Sequence, residues 1–154
     1  MLHLEKVKIE DTANIIEVRR LAYTDEDIRF GESKGEYLKY IGDVNFVSWC
    51  MSKYPLYKIM LDETIIGTFW LDHETDNRPN HFELQDFCIL PEYQNEGYGR
   101  KAMELMEKVH PNVEIWSLST LLCSIRNQHL YEKMGYKKIG QTKGSICYEK
   151  SIKH

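Results

Sequence analysis

The stretch from Phe82 to Val109 constrains this chain more than any other. Residues Phe82-Glu83-Leu84-Gln85-Asp86-Phe87-Cys88-Ile89-Leu90 read as a strand, ended by Pro91. Glu92 to Glu96 form a short polar loop, followed by Gly97-Tyr98-Gly99. Arg100 to Val109 then carry helix-forming residues and are stopped by Pro111. A strand emptying through a glycine-bearing loop into a helix builds an anion site. The first N–H groups of a helix lack partners inside it, and the helix dipole adds positive character there. Glycine lets the backbone come close to the anion and take up positive φ.

Two common phosphate loops are excluded. The dinucleotide fingerprint G-x-G-x-x-G fails because its third glycine position is Ala102, and G-x-x-x-x-G-K-[ST] does not occur. What remains is Gln94-x-x-Gly97-x-Gly99 after a strand.

The rest of the chain alternates strands and helices. His3 to Lys8 reads as a first strand. Asp11 or Thr12 can cap a helix over about Ala13 to Tyr23, with Ile15, Ile16, Val18, Leu21 and Ala22 at helical spacing and Arg19-Arg20 on the solvated face. Thr24 to Gly42 is polar, with the acidic cluster Asp25-Glu26-Asp27, and reads as a loop. Asp43 to Tyr54 reads as a second helix with Val44, Val47, Cys50 and Met51 on one face. Leu56 to Leu61, a turn at Asp62-Glu63, and Thr64 to His73 form a hairpin. Thr75 to Asn80 is turn-rich. After Pro111, Val113 to Leu118 is a strand. A short helix runs from Ile125 or Arg126 to Met134 with Gly135 as C-cap, and Tyr136–Gly140 and Ser145–Ile152 close the chain as strands. This order gives an α/β sheet with helices on its faces, and 154 residues without a linker or repeat suit one domain, 1–154.

Composition narrows the partners. A net charge of −4 argues against a general nucleic-acid binder. The four cysteines are far apart with no C-x-x-C, and the six histidines are scattered, so no metal site is expected. The first residues lack a signal peptide's pattern and no apolar run is long enough to span a bilayer, so the expectation is a cytoplasmic protein away from membranes.

Gln/Arg-x-x-Gly-x-Gly/Ala between a strand and a helix resembles the acetyl-CoA signature of the GCN5-related N-acetyltransferase (GNAT) superfamily. Pro91 before it and Leu130-Tyr131-Glu132-Lys133-Met134-Gly135-Tyr136 after it are also similar to that family, in the expected order. The resemblance implies a mixed, mostly antiparallel central sheet flanked by helices and splayed at an acetyl-CoA cleft. It also implies an acetyltransferase acting on a primary amine by direct attack in a ternary complex. The same fold can instead carry a non-catalytic CoA-binding sensor or an interaction domain.

Residue by residue, the resemblance places the CoA phosphates on Gln94, Asn95, Glu96, Gly97, Tyr98, Gly99 and Arg100, chiefly through backbone N–H groups. Positions often occupied by Arg, Gly and Lys or Gln are Gln94, Asn95 and Glu96 here. Asn95 can stand in for glycine because Asn tolerates the left-handed conformation. Glu96 is expected to face solvent, since a carboxylate near a pyrophosphate is repulsive. An oxyanion donor is implied among the amides of Cys88, Ile89 and Leu90, beside a β-bulge. Tyr131 is the implied acid for the leaving thiolate. Ser124 stands where the family often has Asn, and Asn127, four residues before Tyr131, can reach the pantetheine amides instead. Two carboxylates compete as base, Glu83 and Asp86, with an ordered water as the alternative. Strand alternation sends them to opposite faces unless a bulge intervenes. The segment between the first two helices is the implied acceptor wall. The acceptor itself, a small molecule or a peptide, and the choice of monomer or homodimer are open.

Overall fold

The apolar runs pair into a single seven-stranded sheet in the order β1-β2-β3-β4-β5-β7-β6. The strands are β1 (Leu2–Lys6), β2 (Leu56–Leu61), β3 (Thr64–Asp72), β4 (His81–Ile89), β5 (Ile115–Leu121), β6 (Lys137–Gln141) and β7 (Ser145–Ser151). The structure is a computed structural model that describes residues 1–30 and 44–152, with side chains described for all of these except residues 26–30. Among the described residues there are four α-helices: α1 (Thr12–Phe30), α2 (Val44–Lys53), α3 (Tyr98–Val109) and α4 (Ile125–Lys133). None of them is long and apolar enough to cross a membrane.

Every neighbouring strand pair is antiparallel except β4–β5. A parallel pair needs a long crossover, and the Gly97 loop and α3 supply it. The cleft motif is therefore the crossover itself.

The two sheet faces carry different cores. Ala102, Met103 and Met106 of α3 pack with Ile59, Ile66, Phe69, Leu71, Leu84, Trp116 and Leu118. On the opposite face Ile15 of α1 and Val47 and Cys50 of α2 pack with Val7, Leu56 and Trp70. Val18, Ala22 and Tyr23 of α1 extend that face over Cys88 and Leu90.

Three expectations change. The first helix does not end at Tyr23 but continues to Phe30, because nothing between Thr24 and Phe30 breaks a helix. The rest of the expected acceptor wall, residues 31–42, lies outside the described residues, as does Asp43, the expected start of the second helix. Arg19 is not on the solvated face: it is 1% exposed. Ile15, Val18, Arg19 and Ala22 share one helical stripe, so Arg19 enters the interior with its apolar neighbours. Asp11 caps the short 3₁₀ turn Ile9–Asp11 by accepting the Lys8 N–H, and it also accepts Lys58 Nζ at 2.8 Å.

Candidate active site

The site begins where β4 and β5 part. Their parallel register runs from His81↔Ile115 to Leu84↔Leu118 and stops. Beyond it β4 stays with β3, and β5 stays with β7. The parting coincides with a bulge in β4. Trp70 pairs with Gln85 and Thr68 with Cys88, so Phe69 alone opposes Asp86 and Phe87. Asp86 takes φ 50°, which bends the strand away from β5.

Long-range contacts hold the bulge. Trp70 Nε1 donates to Asp86 Oδ2 at 2.8 Å, and both terminal nitrogens of Arg19 approach the same oxygen at 3.4 Å. The Arg19 guanidinium also lies 4.8 Å from the Phe46 ring centroid. On the other strand Gly67 leaves room for the displaced backbone: a Cβ there would stand 2.4 Å from the Cys88 carbonyl oxygen.

The bulge corrects the parity expectation. Glu83 lies in register with Asp72, and Gln85 with Trp70, on the face covered by α1. Asp86 bonds Trp70 and Arg19, so it joins them on that face. Both carboxylates therefore share one face, with different surroundings. Asp86 Oδ2 already accepts from two side chains. Glu83 Oε2 accepts the Thr75 hydroxyl at 3.0 Å.

The same register sorts the three amides. Leu90 N–H donates to the Ile66 carbonyl at 2.7 Å and so is not available as a donor. With Gly67 opposite Ile89, that bond makes Gly67/Ile89 a non-hydrogen-bonded pair. The Ile89 N–H and carbonyl therefore face away from β3, into the gap, whereas Cys88 falls at the hydrogen-bonded position facing β3. The Ile89 carbonyl accepts Gln94 Nε2 at 2.9 Å, as this geometry requires.

Gln94 thus ties the loop to the strand. Its own N–H donates to Pro91, and its buried Oε1 has no hydrogen-bond partner among the described residues. Asn95 takes φ 64°, the left-handed conformation proposed for a glycine substitute, and Gly97 takes φ 82° as the N-cap of α3. The N–H groups of Tyr98, Gly99 and Arg100 open the helix. Gly99 lies against Leu130 of α4, where a Cβ would stand in ordinary contact at 3.5 Å. Glu96 is exposed.

A cavity of about 680 Å³ fills the gap. Cys88 and Ile89 border it on the strand side, and Gln94, Asn95, Gly97, Gly99 and Arg100 on the loop side. Arg126, Asn127, His129, Leu130 and Lys133 of α4 form the facing wall. No carboxylate is among the described residues that line it, so its charge is positive although the chain is net negative. Leu90, Glu96 and Tyr98 are not in this lining.

A second cavity of about 210 Å³ sits at the apex of the splay. Gln85, Asp86, Ser119, Thr120, Asn127 and Tyr131 line it with Tyr23 of α1, and Phe87 and Asn127 border both cavities. Tyr131 is 5% exposed and is placed by the end of α4. Gly135 takes φ 94°, its N–H donates to the Glu132 carbonyl, and the Tyr136 N–H donates to the Tyr131 carbonyl. This pair of bonds closes the helix in a Schellman motif. The Tyr131 ring lies 6.1 Å from Tyr136 and 6.2 Å from Tyr148. Burial raises the hydroxyl pKa of both neighbours, that of Tyr148 to about 12.

Sequence reading missed Arg19, Trp70 and the α4 cations. Arg19 carried a signal, its place in an apolar stripe. Arg126, His129 and Lys133 carried another, one helix face at i, i+3 and i+7. A buried polar chain was missed as well. His81 Nδ1 lies 2.9 Å from Asp76 Oδ1, and its Nε2 lies 2.6 Å from Ser117 Oγ.

The acetyltransferase (GNAT) family model matches residues 17–136. Among solved structures, the chain is similar to the PaiA N-acetyltransferase from Thermoplasma acidophilum in complex with coenzyme A, at 20% identity and TM-score 0.85 over 99% of both chains. It is also similar to PH1933 from Pyrococcus horikoshii OT3, at 20% identity and TM-score 0.79 over 100% of both chains. The ribosomal-protein-S18-alanine N-acetyltransferase from Escherichia coli aligns at 12% identity and TM-score 0.69, over 100% of this chain and 96% of that one. No curated protein sequence matches at a significant level.

Proposed function

This chain belongs to the GNAT acetyltransferase family, and on that premise we propose that it transfers an acetyl group from acetyl-CoA to a primary amine, with both reactants bound together. The observation that carries the reading is the splay, which joins a cationic cleft to a smaller polar cavity at Phe87 and Asn127. Residues 1–154 act as one domain, since both cores rest on one sheet.

The cleft suits CoA. The N–H groups at Gly97 to Arg100 suit the pyrophosphate, and Arg126 and Lys133 supply the cations that Asn95 and Glu96 do not. The buried Gln94 Oε1 suits an amide donor of the pantetheine arm. Acetyl-CoA supplies the activated acyl group.

The chain's own groups then do three things. The Ile89 N–H, held into the gap by the bulge, donates to the acyl oxygen as it gains negative charge. A preorganised donor of this kind contributes about 3 kcal/mol. Tyr131 holds the proton for the departing sulfur, with its ring fixed by Tyr136 and Tyr148. Glu83 is the favoured base. Asp86 instead shapes the strand, because its Oδ2 is engaged by Trp70 and Arg19. The acceptor is a small amine or a peptide end that fits the cavity beside Ser119 and Thr120.

An amine-panel screen that detects free CoA thiol tests the transfer. Thiol release with any amine is expected, whereas CoA binding without release points to a sensor. Tyr131→Phe should lower kcat by about 100-fold with the acetyl-CoA KM little changed. An unaltered kcat would remove Tyr131 from the mechanism.

A further inference from the structure

The Asp76–His81–Ser117 chain has no part in holding acetyl-CoA and lines neither cavity, yet it is built as a proton acceptor. His81 is 4% exposed and Ser117 is 6% exposed. Asp76 is fixed from outside: Oδ1 accepts the Arg78 N–H at 2.9 Å and Oδ2 accepts Arg78 Nε at 3.0 Å. Arg78 in turn grips Glu149 through both terminal nitrogens. The hydrogen bonds from His81 and then Arg78 hold the Asp76 carboxyl well below the usual range, at about 2.

This fixes the polarity of the chain. An ionised carboxylate only accepts, so Nδ1 of His81 carries the hydrogen and donates to Asp76. In the neutral ring Nε2 is then an acceptor, and the Ser117 hydroxyl donates to it. The Ser117 oxygen keeps its lone pairs for another donor.

The chain is also placed to receive a proton. Ser117 lies in register between Glu83 on β4 and Glu149 on β7. Two residues further along the same strands, Gln85 and Ser119 line the small cavity beside Tyr131. Two residues of strand span about 7 Å, so Glu83, which lines neither cavity, meets the amine where the acceptor extends from the small cavity toward Ser117. The charged groups facing the imidazole are Asp76 and Arg78 of the covering loop, Glu83 of its own strand and Glu149 of β7.

Resting on the acetyltransferase reading, we propose that His81, oriented by Asp76, is the terminal acceptor of the amine's proton, acting through Ser117 and Glu83. As the amine nitrogen bonds to the acyl carbon it loses one proton to the Glu83 carboxylate. Glu83 passes it to Ser117 Oγ while the Ser117 hydroxyl proton moves to His81 Nε2. The imidazolium keeps its Nδ1–H on Asp76 and later returns one proton to solvent. Glu83 is the catalytic residue of this route, and Asp76, His81 and Ser117 are positioning residues behind it.

The test uses the full chain with acetyl-CoA and 2,2,2-trifluoroethylamine, whose nitrogen is already unprotonated at neutral pH. The acid limb of kcat/KM should share its midpoint with the His81 imidazole titration followed by NMR. His81→Gln should flatten that limb and lower the plateau by about 100-fold. Asp76→Asn, an exposed change that keeps the fold if His81→Gln does not, should lower the plateau by about 10-fold with the acetyl-CoA KM unchanged. An unchanged limb in His81→Gln, or an unchanged plateau in Asp76→Asn, would overturn the relay. ¹⁵N spectra of the unliganded protein decide the polarity independently of turnover, and hydrogen on Nε2 rather than Nδ1 of neutral His81 would also overturn it. Lack of thiol release from the wild type with every amine would sink the transferase reading instead.

Discussion

Arg19→Met tests whether a buried ion pair sets the shape of the cleft. Arg19 is 1% exposed on its side chain and Asp86 13%. Their closest approach of 3.4 Å corresponds to a gross attraction of about 5 kcal/mol at an effective dielectric of about 20. Desolvation of both ions offsets much of this, so the net value of the pair is small. Removing one partner is different, because the remaining charge stays buried and unbalanced at a cost of about 3–5 kcal/mol. Asp86 keeps some exposure and the Trp70 bond, which places Arg19→Met at about 3 kcal/mol. Asp86→Asn retains an acceptor for Trp70 but removes the negative charge facing the more deeply buried cation, and should also destabilise. The double variant should recover about 2 kcal/mol relative to the sum of the singles. Urea unfolding reads this directly: at a slope of about 1.5 kcal/mol/M, 3 kcal/mol moves the midpoint by about 2 M. Acetyl-CoA affinity should fall in both single variants, because the bulge they anchor aims Ile89 into the gap. A cost for Arg19→Met below about 1 kcal/mol, or strictly additive singles, would refute the reasoning.

Two further outcomes follow from the same geometry. Gly67→Ala puts a Cβ 2.4 Å from the Cys88 carbonyl and 2.9 Å from Ile89 Cδ1. The backbone must shift, so stability should drop by about 1–3 kcal/mol and acetyl-CoA binding, measured by calorimetry, should weaken; a neutral result would mean that β4 has slack at this point. Asp11 has its carboxyl pKa lowered, first by the hydrogen bond from the buried Lys58. A group depressed in the folded state stabilises above its unfolded value of about 4 and loses that contribution as pH falls through the folded value. Asp11→Asn should therefore destabilise at neutral pH and flatten the acid limb of stability below about pH 4, whereas parallel curves for the two proteins would exclude the pair as a source of that limb.

Much of the fold was legible in local pattern. The hairpin at Asp62-Glu63 and the strand–loop–helix at Phe82 to Val109 each announce themselves within a few residues. The Schellman end of α4 is as plain, since Gly135 is the residue that can take φ 94° there. Asn95 was legible for the same reason. Local backbone chemistry decides such features, and the chain states it in order.

The candidate site was legible only in part. Gln94, Gly97, Gly99, Asn127 and Tyr131 were read from spacing and resemblance, and the structure brings them around two adjoining cavities. Their partners come from distant segments: Arg19 from α1, Trp70 from β3, Arg126 and Lys133 from α4, His81 and Ser117 from strands that pair only after a crossover.

The sequence by itself determined the order of the elements, the glycine-bearing turn into α3 and the position of Tyr131 before its cap. Tertiary structure alone decided which face Glu83 and Asp86 share, which of the three amides points into the gap, and that Arg19 is buried. The reason is the period of a strand. Alternation holds until one extra residue is accommodated, and that depends on a partner strand with a glycine opposite and a cation across the sheet. A bulge reverses every assignment beyond it, and no local period in Phe82 to Leu90 records where it will fall.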